Sequence, residues 1–209
     1  MWTLFYSPGS CALASHIALE EAGASYKAVR LNFRDDEQRK PDYLAINPKG
    51  RVPALITEHG TLTETPAILA FIAQSFPDAR LAPVSDAYGF AQVQAFNSYL
   101  CSTVHVAHAH GRRGSRWADD PAALADMQRK VPQTMGECFA LIEREMLKGP
   151  WVLGERYSIC DPYLFTLAGW LEGDGVDPGR FPNVHAHMRR MAERPAVIKA
   201  VEEQKRKGA

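Results

Sequence analysis

Phe5-Tyr6-Ser7-Pro8-Gly9-Ser10-Cys11 sets the reading of this chain. The apolar run Trp2–Tyr6 reads as a strand and Pro8-Gly9 as a turn. Ser10–Ala22 then reads as a helix, with Ala14, Ile17, Ala18 and Ala22 on one face and Gly23 as its stop. Ser10 is the expected N-cap and Cys11 the first helical residue. A helix start offers unpaired N–H groups and about half a positive charge, and both favour a thiolate. A cysteine so placed can titrate well below its usual ~8.5. Cys11 equally fits the ordinary role of a small buried apolar side chain.

The following residues alternate between strand and helix patterns. Tyr26–Leu31 is a second strand, Asn32–Lys40 a polar loop, and Pro41 opens a short helix reaching Ile46. Asn47-Pro48-Lys49-Gly50 is a turn. Val52–Thr57 and Thr61–Thr63 flank Glu58-His59-Gly60 as a hairpin. Thr65 as N-cap and Pro66 at the first helical position open a helix carrying Ile68, Leu69, Phe71 and Ile72. The order β-α-β-α-β-β-α implies a small mixed sheet, its first two strands parallel and its last two antiparallel. Phe76–Ala87, with Pro77 and Pro83, reads as a linker. Beyond it only helices are expected, over Tyr88–His108, Asp120 to about Leu147 with a kink at Pro132, Ser158–Leu171, Asn183–Ala192 and Pro195–Gln204. Ser158-Ile159-Cys160-Asp161 has capping-box spacing, in which the serine hydroxyl takes the N–H of Asp161 and the carboxylate that of Ser158. That motif speaks to folding, not catalysis.

The bulk composition is that of an ordinary globular protein, with 46% hydrophobic and 23% charged residues in 209. The formal net charge is zero, so nothing calls for nucleic acid as a partner. No stretch approaches the ~20 apolar residues of a membrane span. Cys11, Cys101, Cys138 and Cys160 lack any zinc or CxxC spacing, and no charged start precedes an apolar leader. A reducing, cytoplasmic setting is the expectation.

Five stretches taken together are similar to the cytosolic glutathione transferases, and among these to the bacterial beta class. They are Tyr-Ser-Pro-Gly-Ser-Cys at 6–11, Asn-Pro-Lys-Gly-Arg-Val-Pro-Ala-Leu at 47–55, Glu-Thr-Pro-Ala-Ile at 64–68, Val-His at 104–105 and Ser-Ile-Cys-Asp-Pro-Tyr-Leu-Phe at 158–165. The resemblance spans essentially the whole chain. It implies an α/β thioredoxin-like domain over 1–79, an all-helical domain over 87–209, a cis Val52-Pro53 bond and a homodimer. It also implies detoxifying chemistry on glutathione as co-substrate, with no further cofactor and no metal.

The same resemblance assigns roles. Glu64 pairs with the γ-glutamyl ammonium of glutathione, and Thr65 with the helix N–H groups takes the neighbouring carboxylate, although Thr65 also fits simple capping. The Val52 backbone, beside Pro53, pairs with the cysteinyl unit as an added strand would. Cys11 meets the glutathione sulfur, either forming a mixed disulfide or donating a hydrogen bond to the thiolate. His105 faces the sulfur for acid–base work or hydrogen bonding, with Ser102 one turn before it. His108 and His110 nearby raise a metal site, but no carboxylate or cysteine partner is apparent. Tyr6 and Ser10 stand where other classes activate the sulfur; for Ser10 capping is the leading role. Phe5, Phe33, Tyr99 and Trp117 are candidates for an apolar acceptor wall. Two positions depart from the beta-class pattern: Val106 stands where lysine is common, and Ser98 where asparagine is. The basic run Gly111–Arg116 is either a solvated helix end or an attractor of anionic acceptors. Conjugation of glutathione to an apolar electrophile is the leading expectation. A glutathione-dependent peroxidase or disulfide-exchange enzyme is the second, and a binding protein with little turnover the third.

Overall fold

A computed structural model describes residues 1–206. Its first half is a four-stranded sheet in the order β2-β1-β3-β4. β1 (Trp2–Tyr6) pairs in parallel with β2 (Tyr26–Arg30) and antiparallel with β3 (Ala54–Thr57), which pairs antiparallel with β4 (Gly60–Thr63). The register sets Leu4 opposite Leu55, and both are fully buried. Three helices serve this sheet: α1 (Ala12–Glu21), the short α2 (Pro41–Leu44) and α3 (Thr65–Ser75). The expected loop at 32–40 contains two 3₁₀ turns.

Two helix starts differ from the sequence expectation by one residue, the usual size of such differences. α1 begins at Ala12, and Cys11 itself occupies the capping position with helical angles. Ser10 still satisfies the first free donor: its hydroxyl accepts from the Ala12 N–H at 3.3 Å and donates to the Ser7 carbonyl at 2.6 Å. Thr65 is the first residue of α3 rather than its cap, and Glu64 precedes it at φ 72°, ψ 120°. A non-glycine residue in such a conformation costs on the order of 1–3 kcal/mol and persists only where its surroundings impose it.

The second half is helical. α4 (Ala87–Tyr99) runs through a π-helical turn at Leu100–Val104 into α5 (His105–Arg113). α6 (Pro121–Leu141) follows, capped by the Asp120 carboxylate on the N–H groups of Ala122 and Ala123 and containing Pro132. α7 (Cys160–Ala168), α8 (Pro182–Ala192) and α9 (Pro195–Lys205) complete it. The capping box differs in detail. The Ser158 hydroxyl accepts from Cys160 N–H, and the Asp161 carboxylate takes Ser158 N–H at 2.7 Å. Asp161 reaches further than expected, accepting from Val152 N–H at 2.8 Å and contacting His187 Nε2 at 3.0 Å.

One apolar core joins the halves. Leu4, Leu55, Ile68 and Leu69 from the sheet side continue into Val93, Leu100, Phe139 and Leu164. α1 lies between them, packed on α3, α7 and α9, which explains its run of small buried residues, Ala12, Ala14, Ser15 and Ala18. No described helix is long and apolar enough to cross a membrane.

Candidate functional site

A cleft of about 790 Å³ opens between the two halves. That is toward the upper end of small-molecule sites, which run to ~1,000 Å³. The turn after β1 brings Ser10 and Cys11 to it, the loop before β3 brings Val52 and Pro53, and the start of α3 brings Glu64 and Thr65. From the far side α5 contributes His105 and Val106, and the π turn contributes Cys101. An inserted π turn redirects side chains and is frequent at functional sites.

Local chemistry fixes these positions. The Tyr43 hydroxyl and the Asn47 amide both donate to the Arg51 carbonyl, at 2.6 and 2.7 Å, holding the backbone that leads into the cis Val52-Pro53 bond. Glu64 is paired with the Lys49 ammonium, which also donates to the Thr63 hydroxyl. No side chain caps α3, which leaves the N–H groups at its start, Pro66 having none, open to a carboxylate. The Trp170 indole donates to the Gly9 carbonyl at 3.1 Å, tying the turn before Cys11 to the helical half.

Cys11 is buried, and its thiol lies 3.6 Å from the Val52 carbonyl as donor. Burial pushes the thiol above its ordinary value, opposed by the nearby Thr65 hydroxyl and by the Arg113 charge. Burial acts here against the low-pKa thiolate that the helix start favours. A helix start alone does not outweigh removal of the sulfur from water. Burial thus favours the protonated thiol, with the Val52 carbonyl as its acceptor.

His105 is neutral. Burial first, then the charges of Arg113, His108, Arg116 and Arg51, bring it down to about 3. Its Nε2 accepts from the Arg113 guanidinium at 3.2 Å, and its ring packs edge-on to Trp170 at 5.0 Å. His108 stacks on the other part of Trp170 at 4.2 Å and pairs with Asp174 at 2.8 Å. His105 and His108 thus both pack on Trp170, while His110 packs on Trp117 at 4.4 Å. Away from the cleft, His16, Glu20 and Glu203 place three ligand atoms within 4.8 Å of one another. These atoms are already engaged, His16 with Glu203 and Glu20 with Tyr26 and Lys199.

The titration of His105 gives a signed expectation. Unfolded, it takes up its proton near pH ~6.5; folded, not until about 3. Between those values the unfolded chain binds more protons, so stability rises with pH across that window. Replacing His105 by glutamine removes this contribution. In urea unfolding at pH 7 and pH 4, the variant should lose less stability than wild type, by on the order of 2 kcal/mol after discounting for partial exposure. Equal acid sensitivity of the two proteins would show that His105 is protonated at ordinary cost.

Not every expected residue reaches the cleft. Tyr6 does not line the cleft: it shares the buried face of β1 with Leu4, packs against His16 of α1 at 5.5 Å and clusters with Ala12, Leu31 and Tyr43. Its phenol is shifted upward by burial. Ser102 is exposed and its hydroxyl donates back to the Ser98 carbonyl at 2.7 Å; Cys101 takes the cleft side instead. Phe33 and Trp117 line the cleft, whereas Phe5 packs on Tyr43 and Tyr99 points at the Cys138 carbonyl. Sequence reasoning gave no role to Trp170 or Arg51, and named Arg113 only within the basic run Gly111–Arg116, without its contact to His105. For Arg113 a signal existed: it stands two full helical turns after Val106, hence on the same face. Trp170 lies past the end of α7 and carried none.

Comparison with known proteins adds to this geometry. The family model "Glutathione S-transferase, N-terminal domain" matches residues 2–74, and "Glutathione S-transferase, C-terminal domain" matches 115–190. Glutathione S-transferase GstA of Escherichia coli O157:H7 is 35% identical over 203 residues, 95% of this chain and 96% of that protein. A glutathione transferase homolog from Sulfitobacter, crystallised with bound glutathione, is 48% identical with a TM-score of 0.94, covering 97% of this chain and 98% of its own. A beta-class glutathione S-transferase of Sphingomonas chungbukensis is 35% identical with a TM-score of 0.85, over 97% and 98% of the two chains.

Proposed function

The chain belongs to the glutathione S-transferase family, and from that premise we propose how it conjugates glutathione to an electrophile. One observation carries the reading. Cys11, Val52, Glu64, Thr65 and His105, far apart in sequence, line a single cleft around the cis Val52-Pro53 bond. The γ-glutamyl end lies at Glu64 and Thr65: the carboxylate of Glu64 exchanges Lys49 for the ligand ammonium, and the open start of α3 accepts the ligand carboxylate. The Val52 backbone pairs with the cysteinyl unit in the manner of a strand edge.

The sulfur then lies toward Cys11. A protonated Cys11 donates a hydrogen bond to a thiolate, which favours the donor role over the nucleophile of a mixed disulfide. Neutral His105 is not an acid at ordinary pH, and its Nε2 is occupied by Arg113. Arg113 is a cation that lines this cleft beside His105, and its charge opposes the upward shift of Cys11. It supplies from two turns along α5 the charge that Val106 lacks, and holds the glutathione sulfur as thiolate. The homodimer, the cytoplasmic setting and the domain division at 1–79 and 87–209 belong to the same proposal.

Calorimetry and turnover test the reading. Wild-type protein should bind glutathione and accelerate its reaction with chlorodinitrobenzene. Glu64→Ala should raise the KM for glutathione by about tenfold to a hundredfold, the cost of an unpaired ammonium. Binding unchanged by Glu64→Ala would move the tripeptide elsewhere in the cleft, and absence of both heat and turnover would end the transferase reading.

A further inference from the structure

An apolar acceptor was the leading expectation, with the basic run Gly111–Arg116 as either a solvated helix end or an attractor of anions; the cleft carries more positive charge than an apolar acceptor needs. Arg39, Arg51, Arg112 and Arg116 line it in addition to Arg113. Among the described residues none of the five has a carboxylate within salt-bridge distance; the arginines so paired are Arg129, Arg144 and Arg194, all elsewhere. The two sides of the cleft contribute alike. Arg39 and Arg51 come from loops of the sheet half, where the Arg39 guanidinium lies 3.3 Å from the point a Cβ on Gly50 would occupy. Arg112 and Arg116 come from the end of α5 and the 3₁₀ turn after it. Arg39, Arg51, Arg112 and Arg116 are all exposed at the same cleft, where partial desolvation and then the charges of Arg51, Arg113 and Arg39 hold Arg116 below the usual guanidinium range.

Like charges gathered in a concave site without counter-ions raise the local concentration of anions. Glutathione in thiolate form carries two carboxylates, one ammonium and a sulfur anion. With its ammonium on Glu64, its three anionic groups leave at least two of the five guanidinium groups without a partner. Exposed Phe33 and Trp117 line the same cleft and offer flat apolar surface beside them.

We propose that the acceptor site of this transferase takes an electrophile with an apolar, planar body and a carboxylate, the body lying against Phe33 and Trp117 and the carboxylate among Arg39, Arg51, Arg112 and Arg116. The proposal rests on the transferase reading for its chemistry but not for its binding. With an aryl chloride, the glutathione sulfur attacks the chlorine-bearing carbon and a C–S bond forms. The C–Cl bond breaks, chloride leaves with the bonding pair, and the thiol proton passes to solvent.

A matched pair of probes tests it: a chlorodinitrobenzoate and its methyl ester, together with their glutathione S-conjugates. Calorimetry with the two conjugates reads the preference without any turnover. At low salt the carboxylate conjugate should bind about tenfold tighter than the ester conjugate, and the ratio should shrink several-fold in about 0.5 M salt as the charges are screened. Arg116→Gln should lower the ratio about threefold, and Arg51→Gln serves as a second variant with the same expected direction. Turnover of the acid, corrected for the uncatalysed reaction, should exceed that of the ester by a similar ratio. Equal affinities in wild type, or a preference indifferent to both salt and Arg116→Gln, would overturn the proposal. Conjugates that bind with the stated ratio while neither aryl chloride reacts would uphold the anion site and sink the transferase reading. Glutathione binding without heat from either conjugate would do the reverse.

Discussion

Arg113→Gln is expected to raise the pKa of the bound glutathione thiol by about one unit and to slow conjugation near pH 6.5 by about tenfold. Arg113 is half-buried, and its charge bears on Cys11, beside which the glutathione sulfur is proposed to lie. A unit charge held a few ångströms from a partly desolvated anion is worth ~1–4 kcal/mol, and one pKa unit is the modest end of that range. The sign is unambiguous: the cation favours the deprotonated sulfur, so its loss favours the thiol. Ultraviolet absorption of the thiolate, followed against pH in the binary complex, measures the shift directly. The rate deficit should close at higher pH, where the thiol ionises unaided. Arg113→Lys should restore most of the lost acidity while leaving His105 without its forked donor. Superimposable titrations of wild type and Arg113→Gln would show that the charge does not reach the sulfur, and Cys11 would stand as the main stabiliser.

Asp161→Ala should cost about 3–5 kcal/mol of folding stability, the largest single-site effect expected anywhere in the chain. Asp161 is fully buried. Its two oxygens serve Val152 N–H, Ser158 N–H, the Ser158 hydroxyl and His187 Nε2. Alanine leaves two backbone donors and a buried imidazole without partners at once, and each orphaned group costs on the order of 1–3 kcal/mol. The site lies outside the cleft but at the start of α7, which packs against α1 and carries Tyr163 to the cleft wall. Urea unfolding should therefore show a large fall in midpoint, and any surviving folded fraction should retain glutathione affinity. Asp161→Asn keeps acceptor capacity and should lose less. A midpoint shifted by under 1 kcal/mol would mean that water or a rearranged loop replaces the carboxylate.

Much of the architecture lay in local chemistry. Trp2–Tyr6, the hairpin after Pro53 and the helix opened by Pro66 follow from alternation, turn residues and proline at a helix start, and the structure forms them within a residue or two. The Ser158–Asp161 motif likewise announced a helix start, though not the second half of its work, because Val152 and His187 reach Asp161 only through the fold. The gathering of Cys11, Val52, Glu64, Thr65 and His105 was expected from family resemblance rather than from spacing.

What sequence alone determined was therefore the succession of elements and which residue types open and close them, since those depend on neighbours a few positions away. Tertiary structure alone decided the electrical state of the site. Burial raises the Cys11 thiol where a helix start by itself favours the thiolate, and five arginines from three separate loops and one helix end crowd together where the chain's formal net charge is zero. Desolvation and charge–charge distance are properties of the assembled molecule, and no periodicity along the chain encodes them.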